Sequence, residues 1–246
     1  MTYAPSANIA LLIDADNASH AAIDPVLTVL AELGQVNIRR AYGNWRKTSL
    51  KGWIDKMHRY GIEPQQQFDL TKGKNATDMK MTIDALDLLY SGRVHGFGIM
   101  SSDSDFMPLA MRIRQDGSPV YGFGSGKTPE AFRQACTRFI DVNALIKAEG
   151  TDAERTKRAE PNDSANGTSP QFDTELLRLL VDAYNASKRD ENGYAQLSEV
   201  GQRAGNRSSF DTRNYGFTRL FDLVDAIPNF AVERRDNGEV WLKRLR

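Results

Sequence analysis

An α/β fold on a parallel sheet, with a smaller winged-helix domain behind it, follows from three features of this 246-residue chain. Short apolar runs such as Ile9-Ala10-Leu11-Leu12-Ile13 and Phe97-Gly98-Ile99-Met100 alternate with helix-like stretches over the first 147 residues. Runs that short and that apolar are typical of strands buried on both faces. A polar stretch, Glu160–Pro170, has no apolar side chain beyond alanine and proline and separates this region from a second one. The second region ends in two β-like runs around Asp236-Asn237-Gly238, a hairpin pattern.

The first strand is predicted over Asn8–Ile13, followed by an Ala/Leu-rich helix near His20–Leu33 that Gly34 can cap. Strand Val36–Tyr42, helix Leu50–Tyr60 and a short strand Ile62–Phe68 come next. Pro64 has no N–H for a sheet ladder, so the third strand belongs at an edge. A helix after Lys74 leads to strand Gly96–Met100, helix Phe106–Gln115, strand Pro119–Phe123, helix Pro129–Ala135 and a last strand, Arg138–Val142. Strands alternating with helices of this length favour a parallel sheet. Residues 1–147 are therefore one expected domain, 148–170 a flexible linker and 171–246 a second domain. In the second domain Phe172, Leu176, Leu179, Leu180 and Ala183 make a helical stripe, with helical patterns at Gln196–Ala204 and Phe217–Val224. Three helices and the C-terminal hairpin Phe230–Arg235/Glu239–Leu245 suggest a winged helix.

Composition narrows the setting. The formal net charge is 0 and Cys136 is the one cysteine, so no disulfide framework can form within a monomer. Cys136 reads as a small buried hydrophobe. With no signal-peptide pattern and no apolar run long enough to span a bilayer, a cytoplasmic setting is expected. Residues 1–147 carry 17 Lys/Arg against 15 Asp/Glu. Setting aside Asp14, Asp16, Asp78, Asp103 and Asp105 leaves 17 against 10, a basic surface around an acidic hole. That balance suits an enzyme acting on a polyanion, and also suits ordinary solubility.

The acidic groups carry the chemistry. Asp14-Ala15-Asp16-Asn17 and Ser101-Ser102-Asp103-Ser104-Asp105-Phe106 each follow a predicted strand directly. Ligands of open α/β sheets bind outside the carboxyl ends of such strands. Carboxylates without basic neighbours suit a hard divalent cation, and such a cation suits phosphoester chemistry. On the helix after Lys74, a wet edge of Lys80, Asp84 and Asp87 is expected beside two apolar stripes, Met79/Ile83/Leu86/Tyr90 and Met81/Ala85/Leu88. Asp78 falls opposite that edge, so it is either a metal ligand or, with Asn75 as N-cap, part of a capping-box-like turn. Lys80 and Asp84 read as a surface i,i+4 pair. At an effective dielectric near 20, two carboxylates ~5 Å apart repel by ~3 kcal/mol. Asp14, Asp78, Asp103 and Asp105 make six pairs, on the order of 20 kcal/mol, above the ~5–15 kcal/mol that stabilises a domain. If they meet, protons or a cation must sit among them. Asp16 is a supporting carboxylate or a helix N-terminal residue.

Basic and aromatic side chains could line a path for a nucleic-acid strand: Arg39, Arg40, Tyr42, Trp45, Arg46, Lys47, Lys51, Lys72 and Lys74. The glycine-rich turn with Lys127 could touch substrate phosphate. In the second domain, Arg203, Arg207, Arg213 and Arg219 with Tyr215 and Phe217 suit backbone contact and base stacking. From Gln171 on, 12 Lys/Arg balance 12 Asp/Glu, so a protein-docking role is an open alternative.

Residues ~8–145 resemble the NYN domain, a branch of the PIN-like metal-dependent ribonucleases. The resemblance lies in Leu11–Asn17, Tyr42-Gly43-Asn44-Trp45, Lys74–Asp78 with Ile83–Asp87, and Ser101–Phe106, in that order. It implies a Rossmann-like sheet, Mg²⁺ or Mn²⁺ dependence and hydrolysis of RNA, with single-stranded RNA the expected partner. Carried over, Asp14, Asp78, Asp103 and Asp105 would form the acidic site, with Asn17 and Ser101 or Ser102 orienting ligands. Residues ~171–246 resemble the LOTUS (OST-HTH) domain through Gly193–Gly201 and Phe210–Leu220. Such winged helices are linked to RNA and, in some proteins, to helicase partners.

Other motifs fit less well. Gly122-Phe123-Gly124-Ser125-Gly126-Lys127-Thr128 is one residue short of a nucleotide phosphate loop, with Tyr121 where the first glycine belongs. Asp14-Ala15-Asp16 also suits a haloacid-dehalogenase-type phosphatase, with Asp14 as nucleophile and Asp16 as acid–base. The Ser-Ser-Asp-Ser-Asp arrangement does not fit that scheme. His20, His58 and His95 are not spaced for chelation. A scaffold that binds RNA without cutting it is the other alternative to a nuclease.

Overall fold

The computed structural model describes residues 7–68, 76–147, 172–235 and 238–245. They belong to two compact units that divide between Ile146 and Lys147.

The first unit holds six parallel strands: β1 (Asn8–Asp14), β2 (Gln35–Gly43), β3 (Glu63–Gln66), β4 (Gly96–Met100), β5 (Val120–Gly124) and β6 (Arg138–Asp141). The helices are α1 (Ile23–Leu33), α2 (Gly52–Tyr60), α3 (Ala76–Tyr90), α4 (Met107–Gln115), α5 (Glu130–Ala135) and α6, residues 142–147. The sheet order is β3-β2-β1-β4-β5-β6. The chain runs outward from β1 to β3, then returns to lay β4 on the other side of β1. That reversal opens a crevice at the carboxyl ends of β1 and β4, where open α/β sheets bind ligands. Pro64 sits on β3, an edge strand as expected.

Strand alternation explains the two core layers. Ile9, Leu11 and Ile13 of β1 face Ile23, Val26 and Leu30 of the α1 segment, with Trp53 of α2 in the same layer. Ala10 and Leu12 face the other way, with Tyr42, Met81 and Ala85 of α3, Leu109 and Ile113 of α4, and Phe132. Gly98 lets α1 lie close to the sheet, since a Cβ there would stand 3.0 Å from Leu30 Cδ1.

The orientation of α3 corrects the sequence reading. Its buried side carries Thr77, Met81, Asp84, Ala85 and Leu89, while Met79, Ile83 and Tyr90 face solvent. Asp84 is thus not part of a wet edge. Its Oδ1 accepts from Lys80 Nζ (2.6 Å) and its Oδ2 from the Tyr42 hydroxyl (3.1 Å), with Arg40 Nη1 at 3.5 Å. A carboxylate with three donors tolerates burial. Two of those donors come from β2, so helical periodicity alone could not reveal them. The Lys80–Asp84 pair is accordingly a half-buried anchor rather than a surface pair.

The second unit contains α7 (Thr174–Ala186), β7 (Ala195–Gln196), α8 (Leu197–Arg207), α9 (Leu220–Asp225), β8 (Phe230–Arg234) and β9 (Val240–Arg244). The antiparallel sheet β7-β9-β8 and the helices enclose Leu176, Leu180, Val200, Ala204, Leu223, Ile227 and Leu242. Helices on a small antiparallel sheet match the winged-helix expectation, with β7 as an unforeseen strand. The third helix starts at Leu220 rather than Phe217, because a 3-10 turn over Thr212–Tyr215 ends on Gly216 in the left-handed region (φ 82°). Asp236 and Asn237 of the expected hairpin turn, and residues 148–170 of the expected linker, lie outside the described residues.

Candidate active site

Asp14 ends β1, and its side chain is buried at the crevice. Its Oδ2 accepts from Asn17 Nδ2 (2.9 Å) and from Ser101 Oγ (2.7 Å), the latter at the end of β4. Ser101 Oγ in turn accepts from the Asp103 N–H (3.0 Å). Asp103 Oδ1 accepts from the Asp105 N–H (2.9 Å), capping the 3-10 turn Ser104–Phe106. One hydrogen-bonded chain therefore links the two strand ends across the switch point. Asp14 Oδ1 is buried without a hydrogen-bond partner. Burial raises the Asp14 pKa, while the bonds from Ser101 and Asn17 act against that rise.

Asp78 lies in the first turn of α3 and is half-buried. Burial is the largest cause raising its pKa, from 3.8 to about 6, followed by Asp14, Asp103, Asp105 and Asp16 in that order. Five acids thus share one electrostatic neighbourhood. They surround the crevice without closing on one point: among the described residues, no group of three or more His, Cys, Asp or Glu side chains is placed to hold a metal ion. Asn75, the alternative cap partner of Asp78, is outside the described residues.

The rim separates the expected binding residues. Lys47 Nζ is 3.1 Å from Asp16 Oδ1, so Asp16 is tied to the loop after β2. The Trp45 N–H donates to Gln66 Oε1 (3.1 Å), and the Arg46 guanidinium lies 5.0 Å from the Phe68 ring centroid. Tyr42 is a correction: it is fully buried, its hydroxyl committed to Asp84, and it cannot line a strand path. Lys72 and Lys74 are outside the described residues. Lys127 is exposed on the turn after β5. Ser102 holds that turn, its Oγ accepting from the Ser125 N–H (3.0 Å), and Ser125 Oγ accepts from the Lys127 N–H (3.3 Å). The adjacent serines therefore divide two tasks, one on Asp14 and one on the β5 turn. Gly124 has no room for a side chain, since a Cβ would stand 2.8 Å from Ser101 O.

In the second unit Arg203, Arg207, Arg213, Tyr215 and Phe217, among the expected RNA contacts, are engaged within the fold. Arg203 pairs with Glu199 (2.8 Å), Arg207 with Asp182 (2.6 Å) and Arg213 with buried Asp211 (3.2 Å). Tyr215 packs beside Phe210. The first two pairs are open to solvent, weak enough for a phosphate to displace.

Residues 8–145 match the NYN domain and residues 167–242 the OST-HTH/LOTUS domain. The chain belongs to the NYN family. The NYN domain spans the six-stranded unit from β1 to the start of α6, and its family is one of PIN-like nucleases. An uncharacterized protein of Methanocaldococcus jannaschii is 26% identical over 172 residues, 68% of this chain and 67% of that protein. A crystal structure of a Vibrio parahaemolyticus protein of unknown function is 18% identical, with a TM-score of 0.46, over 57% of this chain and 96% of the other. A solution structure of an uncharacterized Nitrosomonas europaea protein is 26% identical with a TM-score of 0.28, over 37% of this chain and 90% of the other. At those TM-scores neither structure adds to the fold assignment.

PIN-like NYN nucleases typically use a divalent metal. The NYN crevice fits one in donor chemistry: hard carboxylate oxygens, one of them a buried Asp14 oxygen with no other partner. The residues that sequence reasoning missed here are Ser125, Gln66 and the Tyr42–Asp84 link. Each acts through a bond to a distant element, which no local pattern reports.

Proposed function

We propose that the NYN domain hydrolyses RNA phosphodiester bonds with Mg²⁺ or Mn²⁺ held by Asp14, Asp78, Asp103 and Asp105, whose carboxylates would have to close on the ion from the positions described above, and that the OST-HTH/LOTUS domain adds RNA affinity. One observation carries the reading: the unpartnered Asp14 Oδ1 lies at the switch-point crevice, where burial first, and then the neighbouring acids, push the Asp78 pKa up to about 6. A buried acceptor left bare costs about 1–3 kcal/mol, a cost that a bound cation would offset. Such an ion, when bound, supplies Lewis-acid chemistry, acidifying an attacking water and neutralising charge on the phosphate.

The chain's own residues do the rest. Ser101 and Asn17 fix the Asp14 carboxylate from one side, leaving Oδ1 for the cation. Asp103 presents its carboxylate from the 3-10 turn, and Ser102 sets the Lys127 turn beside it for a substrate phosphate. Arg46, Lys47 and Trp45 are the candidate contacts for the strand on the other side, through charge and stacking.

The test is cleavage of a fluorogenic single-stranded RNA with Mg²⁺, with Mn²⁺ and with EDTA. Cleavage should require the metal, and Asp103→Asn should abolish it while leaving RNA binding equal or tighter, because one repulsive charge is gone. Equal cleavage by wild type and Asp103→Asn would assign the activity to a contaminant. Metal-independent RNA binding without cleavage by either would favour the scaffold reading.

A further inference from the structure

Along α3, Met79, Ile83, Leu86 and Tyr90 follow one another at steps of four, three and four residues. At 3.6 residues per turn they fall within an arc of about 60°. This is the spacing of a coiled-coil seam. Met79 is 62% exposed, Ile83 49% and Tyr90 63%, with Leu86 half-buried beside them. Leu86 reaches the domain's own core from the flank, but Met79, Ile83 and Tyr90 are left outside it, because α3 buries its opposite side, Met81, Ala85 and Leu89, against the sheet.

We propose that this face of α3 pairs antiparallel with the same face of a second copy of the chain. The spacing reads the same from either end, so a helix turned end for end sets Tyr90 against the partner's Met79, and Leu86 against the partner's Ile83. That self-complementarity is what a two-fold interface requires. The charges agree. Lys80 and Asp87 flank the same side of the stripe, and antiparallel pairing brings Lys80, whose ammonium holds Asp84 through one of its three N–H groups, toward the partner's Asp87, twice by symmetry. A parallel pairing offers no such match. Tyr90 is also held in place before any partner arrives: Arg112 Nη2 donates to its hydroxyl (2.6 Å), and the guanidinium stands 5.5 Å from its ring centroid. A fixed aromatic anchor loses little freedom on association. One helix stripe buries less than the ~1,200 Å² of a standard interface, so the dimer is weak and reversible. It would set the two Asp78 positions about 20 Å apart along the helix axes, from 1.5 Å per residue.

The proposal does not depend on catalysis, and is tested on the full chain without RNA or metal. Sedimentation velocity across a wide concentration range should show a reversible monomer–dimer equilibrium. Ile83→Glu should raise the dissociation constant by about tenfold or more. Asp87→Lys, a wholly surface change, should raise it about threefold. For orientation, chains carrying Met79→Cys are mixed with chains carrying Tyr90→Cys and oxidised. The mixed disulfide dimer should exceed either single-variant dimer, with buried Cys136 taking no part. A monomer at every concentration, an unchanged equilibrium in both charge variants, or a Met79→Cys homodimer as the main product would overturn the proposal. A melting temperature for each variant separates lost pairing from lost folding, and the cross-linking result stands even if Ile83→Glu fails to fold.

Discussion

Asp14 and Asp78 are acids whose surroundings oppose ionisation: burial raises both, and neighbouring carboxylates help lift Asp78 to about 6. An unfolded chain releases the Asp78 proton near the ordinary 3.8. Between about pH 4 and 6 the folded state therefore holds more protons than the unfolded one, and stability falls as pH rises through that window. Solvent at a half-exposed carboxylate screens the effect to about 1–2 kcal/mol. In EDTA, the urea midpoint should be higher at pH 5 than at pH 8, and Asp78→Asn should remove the Asp78 share of that difference, leaving the share of Asp14. Added Mn²⁺ should act in the opposite sense, raising the melting temperature more at pH 8, where the carboxylates are ionised. An Asp78→Asn variant with the same pH dependence as wild type would separate Asp78 from the acidic neighbourhood.

Between elements, the Tyr42–Asp84 bond decides how α3 sits on β2, and so where Asp78 enters the crevice. Tyr42→Phe keeps the ring and leaves Asp84 with Lys80 and Arg40, so a loss of about 1 kcal/mol is expected in urea unfolding. Asp84→Ala strands all three donors and should cost more, about 3 kcal/mol. The reverse ranking would mean that the ring's packing, not the carboxylate, places the helix. The same bond shows where sequence reading stops. All six strands of the NYN domain were legible, because each is a short run with its turn signals, and Pro64 marked its edge. The convergence of Asp14 with the Ser101–Asp105 segment was legible too, from strand ends alone. What α3 buries was not, since an aspartate on the inner face looks polar until its β2 partners are known. Nor could the sequence tell Ser101 from Ser102, which differ only in whether they reach β1 or the β5 turn. The two-residue strand β7 exists only as a partner of β9 and has no pattern of its own.

For the whole molecule, two units with separate cores imply a division of labour. The sheet of the NYN unit is complete within residues 8–141, and its candidate acids all lie there, so Met1–Lys147 should fold and cut RNA unaided. The OST-HTH/LOTUS unit should act by tethering. A coil of 23 residues, the expectation from composition for residues 148–170, would span roughly 25 Å. At that span the effective concentration of one domain at RNA held by the other is in the millimolar range, and even weak binding by the second domain counts. Deleting Gln171–Arg246 should then weaken apparent affinity for long RNA, while turnover on saturating short RNA stays nearly unchanged. Both quantities come from one set of steady-state curves, with KM carrying the loss and kcat none. Turnover lost on short substrates would mean that the second unit completes the site. Affinity unchanged for every RNA length would make it a protein-docking module, a role compatible with its balanced charge and internally paired arginines.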